Sequence, residues 1–243
     1  MRRCGSSRGT RTFSVGPVSR PDAERIADGG IERTFAFVDL AGFTALTEVH
    51  GDEHAADLVE RFTGIARDAL GPGDRLVKSI GDAVLLTAPG PAAGLTLVRR
   101  VFEACRSTPD FPVPRAGVHH GPAVERGGDV FGAAVNLAAR VTGQAAGGQV
   151  VVTAPVVVAA TELGLDVISL GRRGLRNLAE PVELFDVRLW PRSDTVLDPV
   201  CRMRVDPVRA AGRLRHAGTD WWFCSLACVA RFAEDPARYA ART

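Results

Sequence analysis

The chain has 243 residues, of which 46% are hydrophobic and 24% charged, and its formal net charge is +2. These values are typical of a soluble globular protein long enough for one large domain and a small second one. So small a net charge gives no reason to expect a nucleic-acid partner. The longest apolar run, residues 150–160, is too short to span a membrane and is interrupted by Pro155. We therefore expect a cytoplasmic protein that binds neither nucleic acid nor membrane.

The first 33 residues are predicted to be a leader outside the folded domain. Residues 1–11, "MRRCGSSRGTR", are rich in glycine, serine and arginine. They lack the apolar segment of a secretory signal. The segment is either a disordered leader or a misassigned start, and we place the first domain at residues 34–189.

Hydrophobic patterning predicts alternating strands and helices across this domain. The predicted strands are 34–43, running into a turn, 75–80 and 83–87 around a Gly81-Asp82 hairpin turn, 113–125, 149–153, 166–171 and 181–189. The predicted helices are 52–70, 91–107 and 132–145. The order β-α-β-β-α-β, followed by further elements, indicates an α+β fold. We expect its helices to cover one face of a mostly antiparallel sheet and to leave the other face open for a partner or ligand.

The last part of the chain differs in composition from the first. Residues 190–197 are polar and irregular and are predicted to be a linker. Residues 198–241 then contain Cys201, Cys224 and Cys228, which are three of the five cysteines in the chain. Their concentration indicates a local cluster rather than a disulfide framework.

Two acidic residues follow apolar strands. Asp39 comes after "FAFV", and Asp82 lies at the tip of the predicted hairpin. Burying a carboxylate costs free energy unless it is partnered. Each could be a satisfied turn aspartate, but two acids at the edges of neighbouring strands could also hold hard divalent cations and substrate phosphates.

Lys78 is the only lysine among the 30 Lys and Arg residues of the chain. Strand alternation would place it on the same side as Leu76 and Ile80. It could be a snorkelling side chain on an edge strand. Arginine would serve that purpose equally well, so a compact ammonium that must fit beside one hydrogen-bond acceptor is the other interpretation.

Several segments together resemble the class III nucleotide cyclase catalytic domain. They are "FVDLAGFTAL", "VKSIGDAVL", "GVHHGPAV", "GDVFGAAVNLAAR" and "LRNLAEPVELFDV", and they occur in the family's order within residues 34–189. The resemblance implies a ferredoxin-like βαββαβ core with extra strands. It also implies that Asp39 and Asp82 bind two Mg²⁺ or Mn²⁺ ions and that the backbone of the next residues cradles the substrate phosphates. These residues are Leu40, Gly42, Phe43 and Thr44.

The same resemblance assigns the remaining substrate contacts. It implies that Lys78 donates to N1 of adenine and that Asp129 accepts from the 6-amino group. Guanine presents the opposite pattern at these positions, so this pair favours ATP. Asn136 would orient the ribose, and Arg140 would bind the phosphoryl group in the transition state. Arg176 stands where relatives often have a lysine that holds the outer phosphates.

In this family, the metal-binding acids of one protomer face the base-selecting and transition-state residues of the other. The resemblance therefore implies a homodimer with two shared sites. The implied function is an adenylate cyclase in intracellular signal transduction that makes cyclic AMP and pyrophosphate by two-metal catalysis. The alternative is a catalytically silent nucleotide-binding or regulatory module with a metal-sensing tail. Arg115, His119 and His120 are interpreted as structural.

Residues 198–241 resemble the YHS domain, a small module related to TRASH metal-binding domains. The resemblance is carried by the C-x22-C-x3-C spacing of Cys201, Cys224 and Cys228 and by Trp221 and Trp222 before the second cysteine. Thiolates favour Zn²⁺ or Cu⁺. The alternative is three reduced cysteines that pack as small hydrophobic residues. A fourth metal ligand would have to be His216, a carboxylate or water.

Overall fold

The computed structural model describes residues 30–190 and 196–240. The predicted leader up to residue 29 and most of the predicted linker lie outside the described residues. Residues 30–33 correct the leader boundary, because they form the start of the first strand, Gly30–Leu40.

The part of the chain up to residue 190 contains the predicted alternation of strands and helices. Its strands are β1 Gly30–Leu40, β2 Arg75–Ile80, β3 Ala83–Ala88, β4 Pro114–Arg126, β5 Asp129–Phe131, β6 Val150–Thr153, β7 Asp166–Arg173 and β8 Val182–Arg188. Its helices are α1 Phe43–His50, α2 Asp52–Asp68, α3 Pro91–Ser107, α4 Ala133–Thr142 and α5 Ala154–Glu162. The sequence analysis predicted a turn where α1 begins and did not locate α5. Both helices are short, with eight and nine residues, and therefore show little of the helical period in the sequence.

The strands form one sheet in the order β2-β3-β1-β4-β6-β8-β7, and β5 pairs with the end of β4. All neighbouring strands are antiparallel except β4 and β6, which are parallel. The order β2-β3-β1-β4 is that of a ferredoxin-like βαββαβ unit, so the predicted α+β class is confirmed.

The helices do not all lie on one face of the sheet, contrary to the sequence-based expectation. Val38 and its same-side neighbours on β1 pack with residues of α1, α2, α3 and α5. Phe35 and Phe37 point to the opposite face and pack in the cluster that includes residues of α4. Gly117 allows α4 to come this close, because a Cβ atom there would lie 2.1 Å from the backbone nitrogen of Thr142.

The tail forms a small α+β unit against the larger domain. It consists of the hairpin β9 Gly212–His216 and β10 Thr219–Phe223 and the helices α6 Leu226–Glu234 and α7 Pro236–Ala240. Its buried residues join the same apolar cluster as those of α1, α2 and α3. Arg204 attaches it further by donating to the carbonyl oxygens of Cys105, Arg106 and Thr108 around the C-terminal end of α3. The two parts therefore share a continuous core.

Within the two described ranges, no helix combines the length and the apolar character that crossing a membrane requires.

Candidate active site and sulfur cluster

Asp39 and Asp82 lie side by side at the edge of the sheet formed by the ends of β1 and β2. Asp39 is the penultimate residue of β1, and Asp82 lies in the turn between β2 and β3. The pKa of Asp82 is raised to about 6, chiefly by burial and then by the hydrogen bond and the charge of the adjacent Asp39 carboxyl. Two adjacent carboxyl groups offer an all-oxygen donor set, which suits a hard divalent cation.

Arg115 neutralises part of the negative charge at this edge. It stands opposite Asp39 in the β1–β4 register. Its Nε and Nη2 atoms donate to Asp39 Oδ2 at 2.8 and 2.5 Å. The sequence analysis interpreted Arg115 as structural and missed this contact. The alternation of "RAGVHH" could have indicated it, since it places Arg115 on the same sheet face as Gly117, the face that α4 covers.

The backbone after Asp39 bends sharply into α1. Leu40 is buried, and Gly42 adopts φ +77° at the N-terminal end of the helix. Phe43 and Thr44 form the first turn of α1, where backbone N–H groups have no acceptor within the helix. These donors and the helix dipole favour an anion at this position.

Lys78 and Asp129 form an ion pair, with Nζ 2.6 Å from Oδ2. The hydrogen bond from Lys78 lowers the pKa of Asp129 below its ordinary value. The expected alternation along β2 is wrong, because a bulge at Val77 shifts the register. Leu76 pairs with Leu86 on one face of the sheet, whereas Lys78 pairs with Leu85 on the face that α4 occupies.

The β4–β5 hairpin that carries Asp129 is fixed to β2 by a second ion pair. Arg75 donates to Glu125 Oε1 at 2.6 Å and to the carbonyl oxygen of Gly128 at 3.1 Å. Gly127 and Gly128 both have positive φ, as a tight two-residue hairpin requires. The carboxylate of Asp129 is therefore held beside Lys78 by local backbone geometry as well as by charge.

Asn136 and Arg140 lie one turn apart on α4, as the sequence spacing predicts. Arg176 lies in the exposed loop between β7 and β8. In the part of the chain that the structure describes, no hydrogen bond or ion pair within the protomer involves the side chains of these three residues. The fold thus places Asp39 next to Asp82 and Lys78 next to Asp129. Neither contact includes Asn136, Arg140 or Arg176.

Cys201, Cys224 and Cys228 converge as predicted, but the fourth candidate ligand was predicted wrongly. It is His50, at the end of α1 in the larger domain. The ligand atoms of these four residues all lie within 4.8 Å of one another. His216 instead packs edge-on against Phe232, with ring centroids 6.0 Å apart.

The three thiols hydrogen-bond to one another: Cys224 Sγ lies 3.4 Å from Cys201 Sγ and 3.8 Å from Cys228 Sγ. Hydrogen bonds from the thiols of Cys201 and Cys224 lower the pKa of Cys228 far below its ordinary value. The same hydrogen bonding and burial raise the pKa of Cys201. The cluster therefore stabilises one thiolate, which is the form that binds metal ions.

Comparisons with known proteins agree with both parts of the chain. Residues 196–243 match the YHS domain. The "pH-sensitive adenylate cyclase MT1302" of Mycobacterium tuberculosis is 43% identical over 164 residues, which cover 66% of this chain and 41% of that protein. The adenylate cyclase of Streptomyces griseus is 40% identical over 107 residues, which cover 44% of this chain and 27% of that protein. The chain thus spans less than half the length of these curated relatives.

Solved structures show the same fold. One, of adenylate cyclases from Trypanosoma brucei in their monomeric state, has a TM-score of 0.58 at 23% identity and covers 72% of this chain and 93% of that one. The adenylate/guanylate cyclase/hydrolase from Silicibacter pomeroyi has a TM-score of 0.55 at 24% identity and covers 67% of this chain and 98% of that one. The chain therefore combines a domain with the fold of class III adenylate/guanylate cyclase catalytic domains and a C-terminal YHS domain.

Proposed function

We propose that this protein is an adenylate cyclase that converts ATP to 3′,5′-cyclic AMP and pyrophosphate at a homodimer interface. The observation that carries the proposal is the Lys78–Asp129 ion pair, Nζ to Oδ2 at 2.6 Å. Lys78 lies on the same sheet face as Asp39, because their partners on β3, Leu85 and Ala83, are two residues apart and so point to the same face. The similarity to proteins named adenylate cyclase supports the same reaction.

Asp39 and Asp82 would hold two Mg²⁺ or Mn²⁺ ions. Their donor set fits such ions, because two adjacent carboxyl groups supply only oxygen ligands, and the crowding of negative charge that raises the pKa of Asp82 would be relieved by a cation. When bound, the ions would lower the pKa of the ribose 3′-hydroxyl and neutralise the triphosphate. The N–H groups at the start of α1, from Gly42 to Thr44, would orient the phosphates beside them.

Lys78 and Asp129 would read the adenine edge. The ammonium donates to the unprotonated N1, and the carboxylate accepts from the 6-amino group. GTP would place a donor against the ammonium and an acceptor against the carboxylate, which leaves polar groups unpaired. Arg140 would stabilise charge on the phosphoryl group in the transition state, and Asn136 would orient the ribose. Arg176 would bind the outer phosphates.

We further propose that a second copy of the chain covers this face. Ile80 and Phe131, next to the acids and the ion pair, are 50% and 52% exposed. A partner on this face would remove both apolar side chains from water, which favours association. The partner would bring Asn136 and Arg140 to the acids of the first copy, and two complete sites would result. A protein that consumes ATP in signalling would act in the cytoplasm.

The proposal is tested by a turnover assay on the purified full chain with Mn²⁺ or Mg²⁺ and either ATP or GTP. We expect cyclic AMP as the main product and no product from Asp39→Ala. If the protein binds ATP but makes no cyclic product with either metal, the silent nucleotide-binding module is the better description. Preference for GTP would contradict the role given to Lys78 and Asp129.

A further inference from the structure

We propose that Cys201, Cys224, Cys228 and His50 form one Zn²⁺ site that joins the YHS domain to the cyclase-fold domain. The three cysteines come from the tail, whereas His50 comes from α1, 151 positions before Cys201 in the sequence. The site therefore belongs to neither part alone. This ligand set, three thiolates and one imidazole, is one of the usual combinations for structural zinc.

The three distances from Cys224 Sγ to the other ligand atoms are close to those of tetrahedral zinc, and no two of the four atoms are more than 4.8 Å apart. With Zn–S bonds of about 2.3 Å and Zn–N bonds of about 2.0–2.1 Å, two sulfurs lie about 3.8 Å apart and a sulfur and a nitrogen about 3.6 Å apart. Cys224 Sγ lies 3.4 Å from Cys201 Sγ and 3.8 Å from Cys228 Sγ. His50 Nε2 lies 3.7 Å from Cys224 Sγ. One ion can therefore reach all four atoms with small adjustments.

The backbone around the cysteines is fixed by a buried acid. Asp198 is fully buried, and its carboxylate accepts from the backbone nitrogens of Val200 at 2.8 Å, Cys201 at 3.3 Å and Cys224 at 2.8 Å. Ser225 caps α6 by accepting from the backbone nitrogen of Cys228 at 3.2 Å. The backbone nitrogen of each cysteine thus donates a hydrogen bond to Asp198 or Ser225, which fixes the position of the cysteine as is typical of preorganised metal sites.

The tail contacts α1 at both ends of that helix. At the C-terminal end, His50 faces the thiols, and Arg231 binds the side chain and carbonyl oxygen of Glu48. At the N-terminal end, the residue after Cys201 packs against Gly42. A Cβ atom at Gly42 would lie 2.6 Å from Cγ of Arg202, so the Arg202 side chain lies directly against the Gly42 backbone and leaves no space for a side chain there.

These contacts give the zinc site a consequence for catalysis. Helix α1 begins at the N–H groups that bind phosphates in the proposed function, on which this step rests. With zinc bound, His50 and Cys201 are tied together, and α1 is fixed at both ends. Without zinc, the tail holds α1 only through the bonds of Arg231 to Glu48 and the packing of Arg202 against Gly42, so the phosphate-binding turn becomes less ordered. Zinc occupancy would thereby set the fraction of molecules competent to turn over nucleotide.

The ligand set is tested on the full chain by zinc analysis and by Co²⁺ titration, since Co²⁺ in a tetrahedral thiolate site has a distinctive absorption spectrum. We expect one zinc per chain in the wild type. His50→Ala should weaken affinity at least about tenfold and change the Co²⁺ spectrum. His54→Ala is the matched control, because His54 lies beside His50 with ring centroids 5.4 Å apart but outside the cluster.

His216→Ala distinguishes the rival fourth ligand. Unchanged affinity and spectrum in this variant support His50, whereas loss in His216→Ala with none in His50→Ala would overturn the proposal. Absence of bound zinc in a wild type with reduced thiols would also overturn it. Circular dichroism of each variant shows whether a loss of metal reflects unfolding.

Coupling to α1 is tested by hydrogen exchange on wild-type protein with zinc, after chelation and after zinc is restored. We expect protection of residues 43–50 to fall on chelation and to return with zinc, while α4, on the opposite sheet face, stays unchanged. Loss of zinc with no change in α1 would disprove the coupling. Neither readout needs catalysis, so a protein that binds zinc and protects α1 but makes no cyclic AMP would contradict only the proposed function.

Discussion

Lys78 and Asp129 are joined by a 2.6 Å ion pair, although they lie 51 residues apart and on different hairpins of the sheet. The bulge at Val77 makes this contact possible, because it moves Lys78 to the face of the sheet where the β4–β5 hairpin ends. An ammonium and a carboxylate are thereby presented together on a partly exposed surface. The two groups of such a pair can separate, so that the ammonium binds an acceptor and the carboxylate binds a donor on the edge of a nucleobase.

Replacing Lys78 with methionine should reduce kcat/KM for ATP by about 10–100-fold, since a hydrogen bond from a charged group is worth about 1.5–3 kcal/mol. The loss for GTP should be smaller, because guanine N1 carries a hydrogen and gains nothing from the ammonium. Steady-state turnover with both nucleotides measures the change. Arg99→Met, which breaks an exposed pair with Glu103 on α3, is the control and should leave both values unaltered. Equal losses for ATP and GTP would show that Lys78 does not read the base.

Mixing two inactive variants should restore activity if each site is shared between protomers. Asp39→Ala and Arg140→Ala remove groups from opposite sides of the proposed site, so a heterodimer retains one intact site of two. Random exchange makes half of the dimers heterodimers, and about a quarter of wild-type activity should return. A mixture of Asp39→Ala with Asp82→Ala should stay inactive, because both changes remove metal ligands. Recovery in neither mixture, with heterodimers present, would contradict the shared site.

Arg204 should stabilise the attachment of the tail to the larger domain. Its guanidinium donates to three carbonyl oxygens around the C-terminal end of α3, where the helix dipole also favours a cation. Arg204→Met should lower the free energy of unfolding by about 2–3 kcal/mol, measured by urea denaturation. The exposed Arg209 provides the matched substitution, and Arg209→Met should change stability by less than about 0.5 kcal/mol. Equal effects of the two changes would be inconsistent with the capping role.

His119 should make the fold less stable in mild acid. Burial lowers its pKa to about 4, and its Nδ1 lies 2.6 Å from Thr153 Oγ1. Because the unfolded chain binds a proton near pH 6.5 and the folded chain only near pH 4, the stability present above pH 6.5 falls as the pH drops toward 4. His119→Gln removes this linkage, so the wild type should lose about 2 kcal/mol relative to the variant between pH 7 and 4.5. Parallel pH profiles of the two proteins would refute the assignment.

The local elements of the fold could be predicted because they depend on short-range patterns. Alternating apolar residues, Gly81 in the hairpin turn and the 3.6-residue period of α2 and α3 each act within a few positions. The face that α4 covers could not be predicted in this way. It depends on Gly117, whose missing side chain admits the helix, and on the register between strands distant in sequence.

The sequence by itself determined most of the alternation of strands and helices, the place of Asp39 and Asp82 after apolar strands, and the clustering of the tail cysteines. These features follow from composition and spacing, which are local properties of the chain, whereas the joint role of Lys78 and Asp129 was implied by the family resemblance. Tertiary structure alone decided that Arg115 binds Asp39, that a bulge directs Lys78, and that His50 faces the thiols. Each of these contacts joins residues on separate elements, and only packing of the completed core brings them within bonding distance.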